Sequence, residues 1–226
     1  MDAQPGQKSA YANYGEDQLL LFLFENVPNG FFVDAGCFHP TLFSNTKVLY
    51  DKGWRGINID ANPFMIGEFN RIRPEDTNLH LALASSKGTT QYFKFNDWGS
   101  SNTTDASFKD KITKLQGVEV SETIEVKALP LAEIIRQHKP VDTEILFLNV
   151  DVENIDLIVL QSNDWNLYRP LIVAVEDFQF KFDTPDSSEV YRYMREIGYT
   201  MFSRTIYTSF FCDTARMCET PIWWGD

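Results

Sequence analysis

The stretch Phe31-Phe32-Val33-Asp34-Ala35-Gly36-Cys37-Phe38-His39-Pro40 passes from apolar residues through an acid into a glycine. Its apolar half predicts a buried strand, and Gly36 predicts a tight turn at the carboxyl end of that strand. A second apolar stretch ends in Asp60, twenty-four residues after Gly36, and predicts the neighbouring strand. In an α/β sheet this pairing is typical of a nucleoside site, where the acid accepts hydrogen bonds from the ribose hydroxyls.

The predicted turn contains a single glycine, Gly36. A dinucleotide site needs more glycines, because the pyrophosphate must approach the backbone closely. A nucleoside without phosphates has no such need, and S-adenosylmethionine is a ligand of this kind. The pattern therefore favours a methyltransferase over a nicotinamide-dependent oxidoreductase. The alternative is structural, since an aspartate at the end of a strand often caps the next helix.

Composition limits the class of protein. The chain has 226 residues, of which 43% are hydrophobic, so we expect one domain over residues 1–226. A net charge of −12 makes nucleic acid a poor candidate for the partner. Three cysteines without a CxxC pair indicate neither a zinc site nor a disulfide framework, and they favour a reducing cytoplasm. The apolar run at residues 19–24 is too short to span a bilayer, so we expect no membrane association.

Alternating strand-like and helix-like segments predict an α/β fold with a doubly wound, mostly parallel sheet of about seven strands and an antiparallel edge strand. Continuous apolar runs predict strands that are covered on both faces. The predicted segments include strands at 31–36, 55–60 and 78–84, helices at 41–52 and 63–72, and a closing hairpin at 199–204 and 208–213. We expect residues 1–13 to be flexible. The polar segment 96–117 predicts a lid or acceptor loop.

A second group of acids follows two apolar strands. Asp151 ends one strand, and Glu176 and Asp177 end another. If the strands are neighbours, their carboxylates meet above the sheet and need a cation to offset their repulsion. Oxygen ligands favour Mg²⁺, so these three residues are a candidate metal site. In the alternative interpretation, Glu176 and Asp177 cap a loop and Asp151 hydrogen-bonds to backbone.

Besides Asp151, two residues are candidates for acting directly on the substrate. His39 follows the glycine turn and is a candidate general base, since histidine exchanges protons near neutral pH. The alternative is that His39 fixes the turn around it. Glu153 is a candidate for orienting the substrate, although an acid here also complements the dipole of the next helix.

Five stretches resemble the FkbM family of S-adenosylmethionine-dependent methyltransferases, over roughly residues 14–213. They are the opening stretch 31–40, Phe43-Ser44-Asn45-Thr46, Gly53-Trp54-Arg55-Gly56-Ile57-Asn58-Ile59-Asp60, residues 149–154 and residues 173–176. The resemblance implies a class I methyltransferase fold, which is Rossmann-like. It also implies O-methylation, often of sugar hydroxyls.

The resemblance assigns roles to individual residues. The implied cofactor-binding residues are Tyr14, Glu16, Asp17, Asp34, Gly36, Asn45, Asp60, Ala84 and Ser85. Asp151 and Glu153 match the family's D-V-E motif, but Asn154 stands where the family usually has glycine. The Glu176–Asp177 pair is similar to the metal-binding acids of macrolide-sugar O-methyltransferases.

The sequence therefore predicts an O-methyltransferase that acts on a carbohydrate hydroxyl. It would use S-adenosylmethionine and a divalent metal, for which Mg²⁺ is the candidate. One alternative is a metal-independent methyltransferase that acts on a small non-sugar acceptor. Another is a non-catalytic module that binds a nucleoside or glycan.

Overall fold

The computed structural model of the chain describes residues 10–219. Within that range the strands are β1 (Phe31–Ala35), β2 (Arg55–Asp60), β3 (Thr77–His80), β4 (Ala82–Leu83), β5 (Gly88–Lys94), β6 (Glu122–Leu129), β7 (Phe147–Val150), β8 (Ile172–Glu176), β9 (Tyr199–Arg204) and β10 (Thr208–Asp213). The α-helices are α1 (Glu16–Leu23), α2 (Lys47–Asp51), α3 (Pro63–Ile72), α4 (Ala106–Gln116), α5 (Leu131–His138), α6 (Asp156–Gln161) and α7 (Glu189–Glu196). Residues 1–9 of the predicted N-terminal segment lie outside the described residues.

Seven strands form the main sheet, in the order β3-β2-β1-β7-β8-β10-β9. The pairs from β3 to β8 are all parallel, whereas β10 is antiparallel to both β8 and β9. The hairpin of β9 and β10 forms one edge of the sheet. The predicted doubly wound, mostly parallel, Rossmann-like sheet with an antiparallel edge is confirmed.

Helices cover both faces of this sheet. In β1, Phe31, Val33 and Ala35 belong to one hydrophobic cluster and Phe32 belongs to another. The first cluster includes residues of α5, α6 and α7, and the second includes residues of α1 and α2. Every residue of β1 is buried. Its sequence therefore shows a continuous apolar run rather than alternation, as expected for a strand between two layers of helices.

The strand order reverses beside β1. The chain continues from β1 to β2 and β3 on one side, and β7 returns to pair on the other side. Ligands of open α/β sheets bind outside the carboxyl ends of the strands at such a point. Ala35 pairs with both Ile59 and Val150, and Val150 pairs with Val175. The next residues therefore lie at one level across four strands: Gly36, Asp60, Asp151 and Glu176.

Three further strands form a second sheet in the order β4-β6-β5. The single strand predicted at 78–84 is wrong, because β3 ends at His80 and β4 begins at Ala82. Between them, Leu81 donates its N–H to the carbonyl of Asp60 (3.1 Å), and β4 then pairs with β6. The apolar pattern continues through this corner, so the change of pairing partner leaves no local signal.

The helix predicted at 41–52 is mostly wrong, because α2 begins only at Lys47. The imidazole Nδ1 of His39 accepts hydrogen bonds from the N–H groups of Thr41 (3.0 Å) and Leu42 (2.9 Å). Phe43 then adopts a positive φ of 57°, which a helix does not allow. These contacts hold residues 41–46 as a loop, and Phe43 and Asn45 reach the cleft described below.

The polar segment 96–117 contains a helix as well as a loop. The Asp105 side chain accepts from the N–H of Ser107 (2.7 Å) and caps α4, and Gly117 follows α4 with a φ of 66°. The preceding part of the segment contributes Gly99, Ser100 and Asn102 to the cleft. Within the described part of the chain, none of the helices combines the length and apolar character that crossing a bilayer requires.

Candidate active site

A cleft of about 350 Å³ opens at the carboxyl ends of the central strands, where the strand order reverses. The structure brings eight of the predicted site residues to this cleft: Tyr14, Asp34, Gly36, Asn45, Asp60, Asp151, Glu153 and Glu176. It does not bring the other six to the cleft wall: Glu16, Asp17, His39, Ala84, Ser85 and Asp177. The strand register positions the members of the first group that lie at the ends of β1, β2, β7 and β8, whereas Tyr14, Asn45 and Glu153 reach the cleft from loops.

Gly36 makes the sharpest turn of the cleft. Its φ is 82°, and its N–H is donated to the carbonyl of Ile59 (2.9 Å). A Cβ at this position would lie 1.8 Å from the carbonyl oxygen of Asp151. Because glycine has no side chain, the backbone of the turn after β1 can approach the backbone of the turn after β7 directly.

Asp34 lies beneath the cleft and is almost fully buried. Its carboxylate accepts hydrogen bonds from the Thr46 hydroxyl (2.6 Å) and the Asn149 amide (3.0 Å). The side-chain oxygen of Asn149 accepts in turn from the side-chain amide of Asn45 (3.0 Å). Burial raises the pKa of Asp34, while the hydrogen bond from Thr46 and the charge of Arg73 oppose that rise. Asp34 therefore acts through this chain of bonds, which holds Asn45 at the cleft wall.

Asp60 stands at the end of β2 and faces the cleft. One carboxylate oxygen accepts from the N–H of Phe38 (2.9 Å) and the other accepts from the N–H of Asn62 (2.7 Å). Burial raises the pKa of Asp60 to about 6, although these two backbone bonds oppose the rise. Each oxygen keeps a further lone pair, so the carboxylate can brace the turn and also accept from a diol.

Asp151, Glu153 and Glu176 form an acidic floor on the other side of the cleft. Burial, and then the neighbouring carboxylates, raise the pKa of Asp151 and that of Glu176 well above the ordinary values. Burial, and then the charge of Asp156, raise the pKa of Glu153 to about 8. Each ionised carboxylate of the floor therefore disfavours ionisation of the others, and the three residues titrate as a group.

The predicted metal site is not assembled. Among residues 10–219, no group of three or more His, Cys, Asp or Glu is arranged to hold a metal ion. Asp177 points away from the cleft, because its carboxylate accepts from the N–H groups of Gln179 and Phe180 (both 3.1 Å) and from the Ser188 hydroxyl (2.5 Å). Asp177 closes the loop after β8, as the alternative interpretation expected, and the remaining residues do not fit a divalent ion.

His39 does not reach the cleft wall, and its geometry does not suit a general base. Its Nδ1 accepts two backbone hydrogen bonds, from Thr41 and Leu42, which places the ring proton on Nε2. Burial lowers the pKa of His39, so the ring stays neutral with no free acceptor nitrogen. The ring packs 5.5 Å from the ring of Trp98. His39 fixes its turn, and the acceptors left in the cleft are carboxylates.

Glu16 and Asp17 hold the segment before α1 in place. Glu16 accepts from the N–H of Tyr14 (2.9 Å) and from the hydroxyl of Thr205 (2.6 Å). Asp17 accepts from the N–H of Tyr11 (2.6 Å). Both acids are buried, and their role is to set Tyr14 against the cleft.

Ala84 and Ser85 lie beyond the cleft, because the chain has already turned into the second sheet. Ala84 donates its N–H to the carbonyl of Leu129 (3.1 Å), away from the main sheet. Residues 81–83 line the cleft in their place. The prediction placed Ala84 and Ser85 directly after one long strand, whereas the corner at Leu81 takes them away from the cleft.

Sequence reasoning missed several residues of the cleft wall. Asn149 is a polar residue inside the apolar strand β7, and this was a usable signal. Tyr92 is buried and reaches the cleft from the second sheet, whose position the local sequence does not reveal. Tyr207 precedes β10, and its ring lies 5.0 Å from that of Phe178 at the cleft mouth.

Asn154, which departs from the family pattern, occupies a position that suits its shape. Its φ is 81° and that of Glu153 is 53°, and asparagine tolerates this left-handed region better than most residues. The Asn154 amide donates to the carboxylate of Asp105 (2.5 Å), the residue that caps α4. The Thr103 hydroxyl donates to the carbonyl of Glu153 (3.4 Å). The substitution therefore ties the turn after β7 to the segment before α4.

Comparison with known proteins gives one match. A family model described as the methyltransferase FkbM domain matches residues 27–201, which is more than half of the chain. The matched region includes the strand ends that carry Gly36, Asp60, Asp151 and Glu176. No curated protein and no solved structure matches the chain.

Proposed function

The chain belongs to the FkbM methyltransferase family, and we propose that it transfers a methyl group from S-adenosylmethionine to a hydroxyl group of a carbohydrate. One observation carries this proposal. Gly36, Asp60, Asp151 and Glu176 lie at one level across four strands and open into a single cleft where the strand order reverses. This is the place where a Rossmann-like sheet binds a nucleoside.

The residues around Gly36 fit the cofactor. The Asp151 backbone fills the space where a Cβ of residue 36 would lie, and Gly36 lines the cleft with backbone alone. Asp60 has lone pairs left for the two ribose hydroxyls. Residues 81–83 and Tyr92 supply the apolar surface that a purine ring requires. When bound, the cofactor supplies a methyl group that is already activated by a sulfonium centre.

Glu153 is the base that we assign to the acceptor hydroxyl. It lines the cleft, and its pKa of about 8 suits proton transfer near neutral pH. As the hydroxyl oxygen forms its bond to the methyl carbon, the bond from that carbon to the sulfonium sulfur would break and S-adenosylhomocysteine would leave, while the hydroxyl proton passes to a carboxylate oxygen of Glu153. His39 has no nitrogen free for this task.

The cleft mouth supports a sugar as the acceptor. Tyr14, Phe178 and Tyr207 are exposed, and the ring centroid of Tyr207 lies 5.3 Å from that of Tyr14 and 5.0 Å from that of Phe178. Aromatic faces of this kind pack against the C–H faces of sugars. The exposed hydroxyl of Ser100 lies along the same cleft and suits the ring hydroxyls.

Two measurements test the proposal. Calorimetric titration with S-adenosylhomocysteine should show binding, and Asp60→Ala should weaken it by about tenfold or more, since two ribose hydrogen bonds are lost. Asp51→Ala, in an exposed ion pair on α2, is the matched control and should bind as the wild type does. Unchanged affinity in Asp60→Ala would remove Asp60 from the cofactor site.

The second measurement is methyl transfer from labelled cofactor to a panel of saccharides and phenols, before and after dialysis against a chelator. We expect transfer to saccharides, with a rate that the chelator does not change. Transfer to phenols alone would favour the small-acceptor enzyme. Cofactor binding without transfer to any acceptor would favour the non-catalytic module.

A further inference from the structure

The cleft is lined by acids without a neighbouring base. The acids are Asp34, Asp60, Asp151, Glu153 and Glu176, and within the described chain no lysine, arginine or histidine lines the cleft. Asp34 feels the positive charge of Arg73, and Asp60 is braced by two backbone N–H groups. The acidic floor has neither form of compensation, because the charged groups that act most strongly on it are other carboxylates.

One oxygen of this floor lacks a hydrogen-bond partner. The Oε2 atom of Glu176 is shut off from solvent, and no donor in the structure reaches it. A buried carboxylate oxygen without a donor costs free energy, so the site suits a donor that arrives with the ligand. A cationic donor fits best, because it satisfies this oxygen and also reduces the repulsion from Asp151.

The aromatic wall favours the same kind of ligand. Tyr14 is 44% exposed, Phe178 is 59% exposed and Tyr207 is 39% exposed, and all three line the cleft beside Glu176. The faces of aromatic rings attract cations, so the wall adds to the attraction of the floor. An apolar ring face with a positive charge at its edge matches both surfaces.

We propose that the acceptor is an amino sugar whose free, protonated amine binds Asp151 and Glu176, beside the hydroxyl that is methylated. This inference rests on the proposed methyl transfer to a carbohydrate. The cofactor itself carries a net positive charge, but it leaves the floor with an excess of carboxylates. Uronic acids, sugar phosphates and nucleotide sugars would meet this floor with a like charge and be rejected.

The test compares acceptors that differ only in the charge of one group. Oligosaccharides of glucosamine are assayed with the amine free and with the amine acetylated, and a uronic acid oligosaccharide is assayed beside them. We expect a KM about tenfold lower for the free amine than for the acetylated form, and no transfer to the uronic acid. Glu176→Gln keeps the shape of the side chain and should reduce this preference to about twofold.

A control and a second variant complete the design. Glu196→Gln, on the exposed surface of α7, should keep the preference of the wild type. Should Glu176→Gln fail to fold, Asp151→Asn takes its place with the same expected loss of preference. Equal KM values for the two forms, or a preference that survives these variants, would overturn the inference and leave the proposed function standing. Binding of S-adenosylhomocysteine without transfer to any saccharide would overturn both.

Discussion

At the scale of single residues, the cleft depends on one close approach between backbones. The turn after β1 passes so near the turn after β7 that a Cβ on Gly36 would meet the Asp151 carbonyl at 1.8 Å. The sequence identified Gly36 from its place after an apolar strand. The contact itself joins residues more than a hundred positions apart, and no local pattern contains it.

Gly36→Ala should therefore destabilise the protein by about 3 kcal/mol, from backbone strain at positive φ and the clash with Asp151. Denaturant unfolding measures this change. Gly67→Ala is the matched control, because Gly67 lies inside α3 with nothing within 4 Å of its Cβ position. That variant should gain up to about 1 kcal/mol from helix propensity. A Gly36→Ala protein as stable as the wild type would contradict the geometry.

At the scale of elements, the segment before α4 forms one wall of the cleft. Asp105 has two partners: it caps α4 through the N–H of Ser107, and it accepts from the amide of Asn154. The hydrogen bond from Asn154 lowers the pKa of Asp105, against the effect of its partial burial. The polar composition of 96–117 indicated a lid or acceptor loop, but nothing in it indicated this connection to the turn after β7.

Asn154→Gly should keep the fold and loosen the wall. Glycine accepts the φ of 81° without strain, so the global stability should change by less than about 1 kcal/mol. The lost bond to Asp105 should speed hydrogen exchange in residues 96–105 while the exchange of β1 and β7 stays the same. The control is Asn166→Gly, in an exposed turn away from the cleft. Unchanged exchange in 96–105 would mean that the bond does not hold the segment.

At the scale of the whole molecule, buried charges connect the sheet to the cleft. The guanidinium of Arg73 is fully buried, and it pairs with Asp76 (2.8 Å) and donates to the hydroxyl of Thr46 (3.0 Å). Thr46 donates in turn to Asp34 beneath the cleft. The positive charge of Arg73 thus compensates the negative charges of Asp34 and Asp76. The acidic floor on the β7 side has no such partner, and the asymmetry should appear in the stability of the whole protein.

The stability of the ligand-free protein should fall as the pH rises. Burial raises the pKa of Glu153 to about 8 and that of Asp156 to about 7, well above the values near 4 expected in the unfolded chain. The folded state therefore binds more protons, and the free energy of unfolding decreases from about pH 4 up to these folded values. Between pH 6 and pH 9 we expect these two groups together to lower the free energy of unfolding by about 4 kcal/mol.

Thermal unfolding across this pH range measures the effect, and Glu153→Gln should flatten the decrease. Glu196→Gln, on the exposed surface of α7, should follow the wild-type curve. A stability that rises through this range would show that the floor is ionised and compensated in the folded state.

The order of elements, the parallel sheet and several boundaries could be predicted from the sequence. The bounds of β2, α3, β9 and β10 agree with the predicted segments, because apolar runs, a proline at the start of a helix and short turns are local signals. The acids and the glycine at the strand ends also followed from local pattern, since parallel strands bring their carboxyl ends to one edge.

The amino-acid order alone was enough to indicate a Rossmann-like sheet and the strand ends that meet in its cleft. The fold in three dimensions was needed to show that Asp177 closes a loop and that His39 holds a turn. It was also needed to show that the carboxylates of the floor lie together without a counter-charge. The physical reason is that side-chain direction, burial and hydrogen-bond partners depend on contacts between distant segments, which periodicity along the chain does not encode.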